Sequence, residues 1–199
     1  PNAFAESPAP PAFPSNALRI DEVSDGGTPS EGTCGGKDWV ELYLPVDNPN
    51  AFLDLSGYVL HDDKGPNHNA AFTFPSDAMI PRGGRVVLCK GGRDGFRFGI
   101  GKTDEVTLLD ADGNTVSTTE SLPGLGKKDV TYMYDEATST YVYTSSPTPG
   151  APNVLTPYDL PNETRERLKE MRDSLVAQNA LGAQFFDMDD NGDPVPNGF

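Results

Sequence analysis

The stretch Asp38-Trp39-Val40-Glu41-Leu42-Tyr43-Leu44-Pro45 decides the fold. Its aromatic and branched side chains suit a pleated, half-buried surface, so it reads as the strongest strand of the chain. Trp39 and Leu42 are read as filling the space between two sheets, because large side chains bury the most area there.

Short strand-like runs lie on both sides of it. Upstream is Leu18-Arg-Ile-Asp-Glu-Val23, broken by Asp25-Gly26-Gly27. Downstream come residues 55–60, 71–74, 85–89, 105–109 and 115–117, then the pair 131–134 and 141–144. The Asp112-Gly113 step reads as a hairpin turn. Ile80-Pro-x-Gly-Gly reads as a turn whose glycines permit positive φ. Tyr132, Tyr134, Tyr141 and Tyr143 are spaced by two within their strands, so each pair shares a face. They would form a ring ladder, packed in the sheet or offered to a partner. Eight or nine short strands separated by turn residues predict a sandwich or barrel. Helical periodicity is missing before residue 160, which excludes a βαβ nucleotide-binding fold.

The formal net charge is −15, which argues against nucleic acid and anionic lipid as partners. The one basic concentration, Arg82 to Lys102, is thinned by glycines. Glycine and proline, 21 and 19 residues, stay below the share that signals disorder, so a packed core with many turns is expected. The chain has no apolar run long enough to span a bilayer. Gly-x-Ser-x-Gly, P-loop and His-Glu-x-x-His patterns are missing. Gly83-Gly84 and Gly91-Gly92 lack the strand–helix setting that binds phosphate, and Asp62-Asp63 reads as a pair of solvated carboxylates. The chain is therefore read as no enzyme and as needing no cofactor.

Cys34 and Cys89 are either two free thiols or one disulfide. The acidic surface and the lack of other thiols favour the disulfide. It would close a loop of about 55 residues and contribute roughly 3–4 kcal/mol. Asp110-Ala-Asp-Gly-Asn reads as a hairpin turn before a calcium loop. Asp187, Asp189, Asn191 and Asp193 resemble the start of a calcium loop, but Gly198 stands where the bidentate Glu belongs, so any calcium site here is weak.

Six motifs in order carry a resemblance. They are Leu18-Arg-Ile-Asp-Glu-Val-Ser, Asp38-Trp-Val-Glu-Leu-Tyr-Leu-Pro, and Asp54-Leu-Ser-Gly-Tyr-Val-Leu-His-Asp-Asp. Then come Phe74-Pro-Ser-Asp-Ala-Met-Ile-Pro-Arg-Gly-Gly-Arg-Val-Val-Leu-Cys-Lys and Phe98-Gly-Ile-Gly with Asp104-Glu-Val-Thr-Leu-Leu-Asp-Ala-Asp-Gly. Ser146-Pro-Thr-Pro-Gly-Ala-Pro-Asn closes the series. Over about 135 residues the chain resembles the lamin-tail domain family, in its exported bacterial and algal type. The resemblance implies an immunoglobulin-like β-sandwich with no active site, and it transfers no catalytic residue.

The expected architecture is all-β. An extended Pro-rich arm covers residues 1–17, the sandwich 18–153, and a linker, helix and acidic tail 154–199. The helix is predicted over about 162–180, with Asn162 as cap and Leu168, Met171 and Leu175 as a narrow apolar stripe. That stripe, with Phe4 and Phe13 of the arm, is the expected partner-binding surface. The function expected is a structural or adaptor subunit making protein–protein contacts in a larger non-cytosolic assembly. That assembly lies in the extracellular space, the periplasm or an organelle lumen such as the thylakoid. The subunit does not span a membrane but could sit peripheral to a membrane complex. The rivals are the N-terminal targeting or adhesion module of a longer exported enzyme, and a calcium-dependent adhesion module.

Overall fold

The computed structural model describes residues 16–26, 33–93, 95–101, 104–121, 129–158, 166, 187–188 and 194–195. The chain separates into two compact units, Pro1–Tyr158 and Asp159–Phe199. Phe4, Phe13, Leu168, Met171 and Leu175 lie outside the described residues. So does the expected helix, apart from Glu166.

The first unit is an antiparallel immunoglobulin-like sandwich. Its strands are β1 (Arg19–Ser24), β2 (Trp39–Tyr43), β3 (Phe52–Asp54), β4 (Val59–His61), β5 (Phe72–Thr73) and β6 (Met79–Pro81). They continue with β7 (Arg85–Cys89), β8 (Glu105–Leu109), β9 (Thr115–Ser121), β10 (Thr131–Asp135) and β11 (Thr140–Thr144). One sheet runs β11-β10-β1-β2-β7, a second β5-β4-β8-β9, and β3 pairs with β6. Ile20, Val23, Val40, Leu42, Leu60, Ile80, Val106 and Leu108 are buried in a single core with Phe74, Phe96 and Phe98.

Three local readings change. Leu55-Ser56-Gly57 is a turn rather than the start of a strand: Tyr58 N–H donates to Leu55 C=O at 2.9 Å. Ile80 lies in a strand, and the turn begins after Pro81, with Gly83 at φ 74 and Gly84 so close that a Cβ would stand 2.6 Å from Pro81 O. Trp39 does not share the inter-sheet space with Leu42. Residues three apart in a strand face opposite ways. Val40 and Leu42 enter the core, whereas Trp39, fully buried, lies on the other face with Glu41 and Tyr43.

That outer face is sealed because β1 carries a bulge. Ile20 pairs with Leu42 and Glu22 with Glu41, so Asp21 is the extra residue. The bulge turns Asp21 and Glu22 to the same side as Glu41. Arg85 answers them: its Nη1 bonds Asp21 and lies 2.7 Å from Glu41 Oε1. Arg19 bonds Asp21 at 2.8 Å and Glu136 at 2.5 Å. Arg19, Tyr43 and Arg85 stand in a row across three strands, with the guanidiniums 4.9 and 4.1 Å from the Tyr43 ring centroid.

The tyrosine ladder forms and is packed inside the unit. Tyr132 stands opposite Tyr143 and Tyr134 opposite Tyr141, with ring centroids 4.8 and 5.5 Å apart. Tyr141 donates to Ile20 C=O at 2.7 Å, and Tyr132 packs on the core.

In the second unit, β12 (Asp187–Met188) pairs with β13 (Pro194–Val195), where composition suggested only a tail.

Removing one partner of a buried ion pair strands the others. We therefore expect Arg85→Ala, which leaves Asp21 and Glu41 uncompensated, to cost about 3–5 kcal/mol in urea unfolding. Asp112→Ala, at an exposed hairpin-turn position whose carboxylate makes no ion pair among the described residues, should change stability by under about 0.5 kcal/mol.

Candidate functional site

Residues 146–153 cross the outer face of the larger sheet and are held by its carboxylates. Glu22 accepts from Thr148 N–H at 3.1 Å, from Thr148 Oγ1 at 2.9 Å, and from Thr131 Oγ1. Glu41 accepts from Gly150 N–H. Asn153 Nδ2 donates to Asp21 C=O and Tyr134 C=O, both at 3.0 Å. Ser24 Oγ and Trp39 Nε1 are the two buried side-chain polar atoms without a partner among the described residues. Burial pushes the Glu22 carboxyl up, and it raises Glu41 to about 7 against the opposing pull of Gly150 N–H and Arg85. These perturbed acids bond the chain's own backbone and arginine, so they fasten a strap.

The open chemistry lies at one end of the same sheet. Trp39 pairs with Cys89, so the residues before β2 and after β7 emerge side by side, and Lys90 N–H extends the ladder to Asp38 C=O at 2.9 Å. Cys34, Gly35 and Gly36 all take left-handed backbone angles, and Lys37 N–H closes the turn onto Cys34 C=O at 3.2 Å. This tight reversal brings Cys34 to Cys89, with Cα atoms 5.2 Å apart and the sulfurs joined as a disulfide. On the far side, Phe96 and Phe98 stack inward with centroids 4.3 Å apart. Arg97 between them is exposed.

The result is an open groove of about 470 Å³ lined by Gly36, Lys37, Asp38, Lys90, Gly91 and Arg97. Asp38 organises it. Its Oδ2 takes Lys90 Nζ at 3.0 Å and Ile100 N–H at 3.1 Å. Sequence reasoning had passed over these bases as diluted by glycine. The signal that could have found them is the placement of Cys34 and Cys89 next to Lys37 and Lys90.

Other expected sites fare differently. Asp62 is buried, not solvated, and bonds Lys64 Nζ at 2.9 Å. Asp110 closes the β8–β9 hairpin, its Oδ1 accepting from Asn114 N–H at 2.8 Å. Of the calcium candidates, Asp187 sits in β12 opposite Val195, while Asp189, Asn191 and Asp193 lie outside the described residues. Among the described residues no group of three or more His, Cys, Asp or Glu is placed to hold a metal. No described helix is long and apolar enough to cross a membrane.

Because Glu41 titrates near 7 when folded and near 4.5 when unfolded, the folded protein binds the extra proton between those values. The stability this group adds is complete below about 4.5 and is lost as pH rises through about 7. Asp54 and Asp110, held low by hydrogen bonds, weaken the fold only below their ordinary value of 3.8. Calorimetry should therefore show the melting temperature climbing by several degrees from pH 8 to pH 5, roughly 2–4 °C per kcal/mol. Much of that slope should vanish in Glu41→Gln.

No curated protein matches the chain. Residues 11–121, more than half of it, match the family described as Lamin Tail Domain. That match ends before β10, β11 and the strap, yet β10 pairs directly with β1 and the strap is held by β1 and β2. An immunoglobulin-like domain of this kind is consistent with a non-catalytic protein-interaction module, and the chain belongs to the lamin tail domain family.

Proposed function

We propose that the chain is a non-catalytic structural or adaptor subunit that makes protein–protein contacts in a larger assembly outside the cytosol. The observation that carries this reading is the Cys34–Cys89 disulfide, because such bonds persist in oxidising compartments and are rare in reducing ones. Two further features support it. The perturbed carboxylates Glu22 and Glu41 are spent on holding residues 148 and 150. The segments on either side of the sandwich carry apolar residues suited to partners: Phe4 and Phe13 in the Pro-rich arm, and Leu168, Met171 and Leu175 beyond residue 158.

Two measurements on protein from its native source test the proposal. Peptide mapping without reductant should recover the Cys34 and Cys89 peptides linked. Complete alkylation of both thiols in the unreduced sample would remove the oxidising compartment. Native mass measurement should place the chain in a species well above its own 21.3 kDa, and truncation of residues 1–15 and 159–199 should release it. A monomer at native concentration would overturn the adaptor role.

A further inference from the structure

The geometry points to the groove at the Cys34–Cys89 end as a binding site for an acidic peptide segment of a protein partner. The first observation is a sorting of the bases. Arg19, Arg85, Lys64 and Lys90 each have a carboxylate, and Arg82 Nη1 donates to Asn48 C=O at 3.3 Å. The side chains of Lys37, Arg93 and Arg97 make no hydrogen bond or ion pair with a described residue, although Lys37 and Arg97 each donate a backbone N–H, to Cys34 and Ala70. In a chain with 30 acidic and 15 basic residues, carboxylates are plentiful. Yet of these three described cations, Lys37 and Arg97 line the groove, and Arg93 lies in sequence between its lining residues Gly91 and Arg97.

The second observation is that the groove is built. The disulfide fixes the turn that carries Lys37, stacked Phe96 and Phe98 fix the backbone of Arg97, and Asp38 fixes Lys90. Lys37 Nζ lies over Gly91, which takes φ 67, a backbone angle that favours glycine at this turn. Cations held on separate supports face outward at modest cost in side-chain ordering when an anion arrives.

Charge selects the class of ligand. The net charge of −15 repels a long polyanion such as nucleic acid, whereas a short run of Asp or Glu meets only the local positive field. The exposed Lys37 and Arg97, with the half-exposed Lys90 beside them, suit carboxylates spaced along an extended peptide. This assignment names the partner chemistry of the interaction module proposed above and rests on that reading.

The test uses the full chain with fluorescein-labelled octaglutamate as probe, read by anisotropy at low ionic strength. Binding is expected, and it should weaken by roughly tenfold in Lys37→Gln/Arg97→Gln, the loss of two partly exposed charge contacts. A control of equal charge change, Lys169→Gln/Arg172→Gln, should bind as the parent does. The melting temperature of the groove variant should stay at the parent value, since neither side chain holds the fold. No binding, or equal weakening in both variants, would overturn the site. Displacement by inorganic sulfate at the probe's own concentration would overturn the peptide class, leaving a simple anion site. Free thiols in the native protein would sink the compartment but not the groove, whereas failure to bind octaglutamate would sink the groove alone.

Discussion

The structure depends on one extra residue. Without the bulge at Asp21, strict alternation from the inward-facing Ile20 would point the Glu22 carboxylate into the apolar core and turn Val23 out of it, and an ion cannot be tolerated there. With it, Asp21, Glu22 and Glu41 gather on the outer face, where Arg85 of β7 pairs with Asp21 and Glu41, and Arg19 of β1 itself pairs with Asp21. The remaining acceptor capacity of Glu22 and Glu41 is filled by backbone N–H groups of the strap. A sheet with one face on the core is thereby covered on the other as well, which is why every residue of β1 is buried.

Much of this was legible beforehand. The aromatic and branched run from Trp39 to Leu44 marked a central strand and placed Leu42 in the core, and the ordered motifs gave both the sandwich and its family. What escaped reading was the outer face. Glu22 and Glu41 look like ordinary solvent-facing strand residues, and Ser146–Asn153 looks like a loop. Their pairing spans more than a hundred residues, and local periodicity cannot report it. Trp39 was misplaced for a related reason: a large aromatic in a strand suggests the core, and a second buried face was not anticipated. The short β3 and β6 strands fell below the length at which alternation is visible, so exposed Phe52 and Met79 went unnoticed.

The charges divide into two populations. Inside the strap lie arginines and carboxylates in a nearly closed set, each satisfying another. At the disulfide end Asp38 holds Lys90, while the Lys37 and Arg97 side chains have no acidic partner among the described residues. The run from Arg82 to Lys102 therefore has no single role. Arg85 is structural and Arg82 is tied to a loop carbonyl, while Lys90 and Arg97 line a groove.

The strap also sets an order of events for the growing chain. Its contacts to Glu22, 126 residues away in sequence, and to Asp21, 132 away, become available only late in the synthesis of the sandwich. Until Thr148 and Gly150 have been made, Glu22 of β1 and Glu41 of β2 lack their backbone donors, and before residue 131 β1 lacks its partner β10 altogether. Folds dominated by such distant pairings close slowly. The nascent sandwich thus remains open along its central strand until its final segment arrives, and the protein completes itself from the C-terminal end of the domain backward.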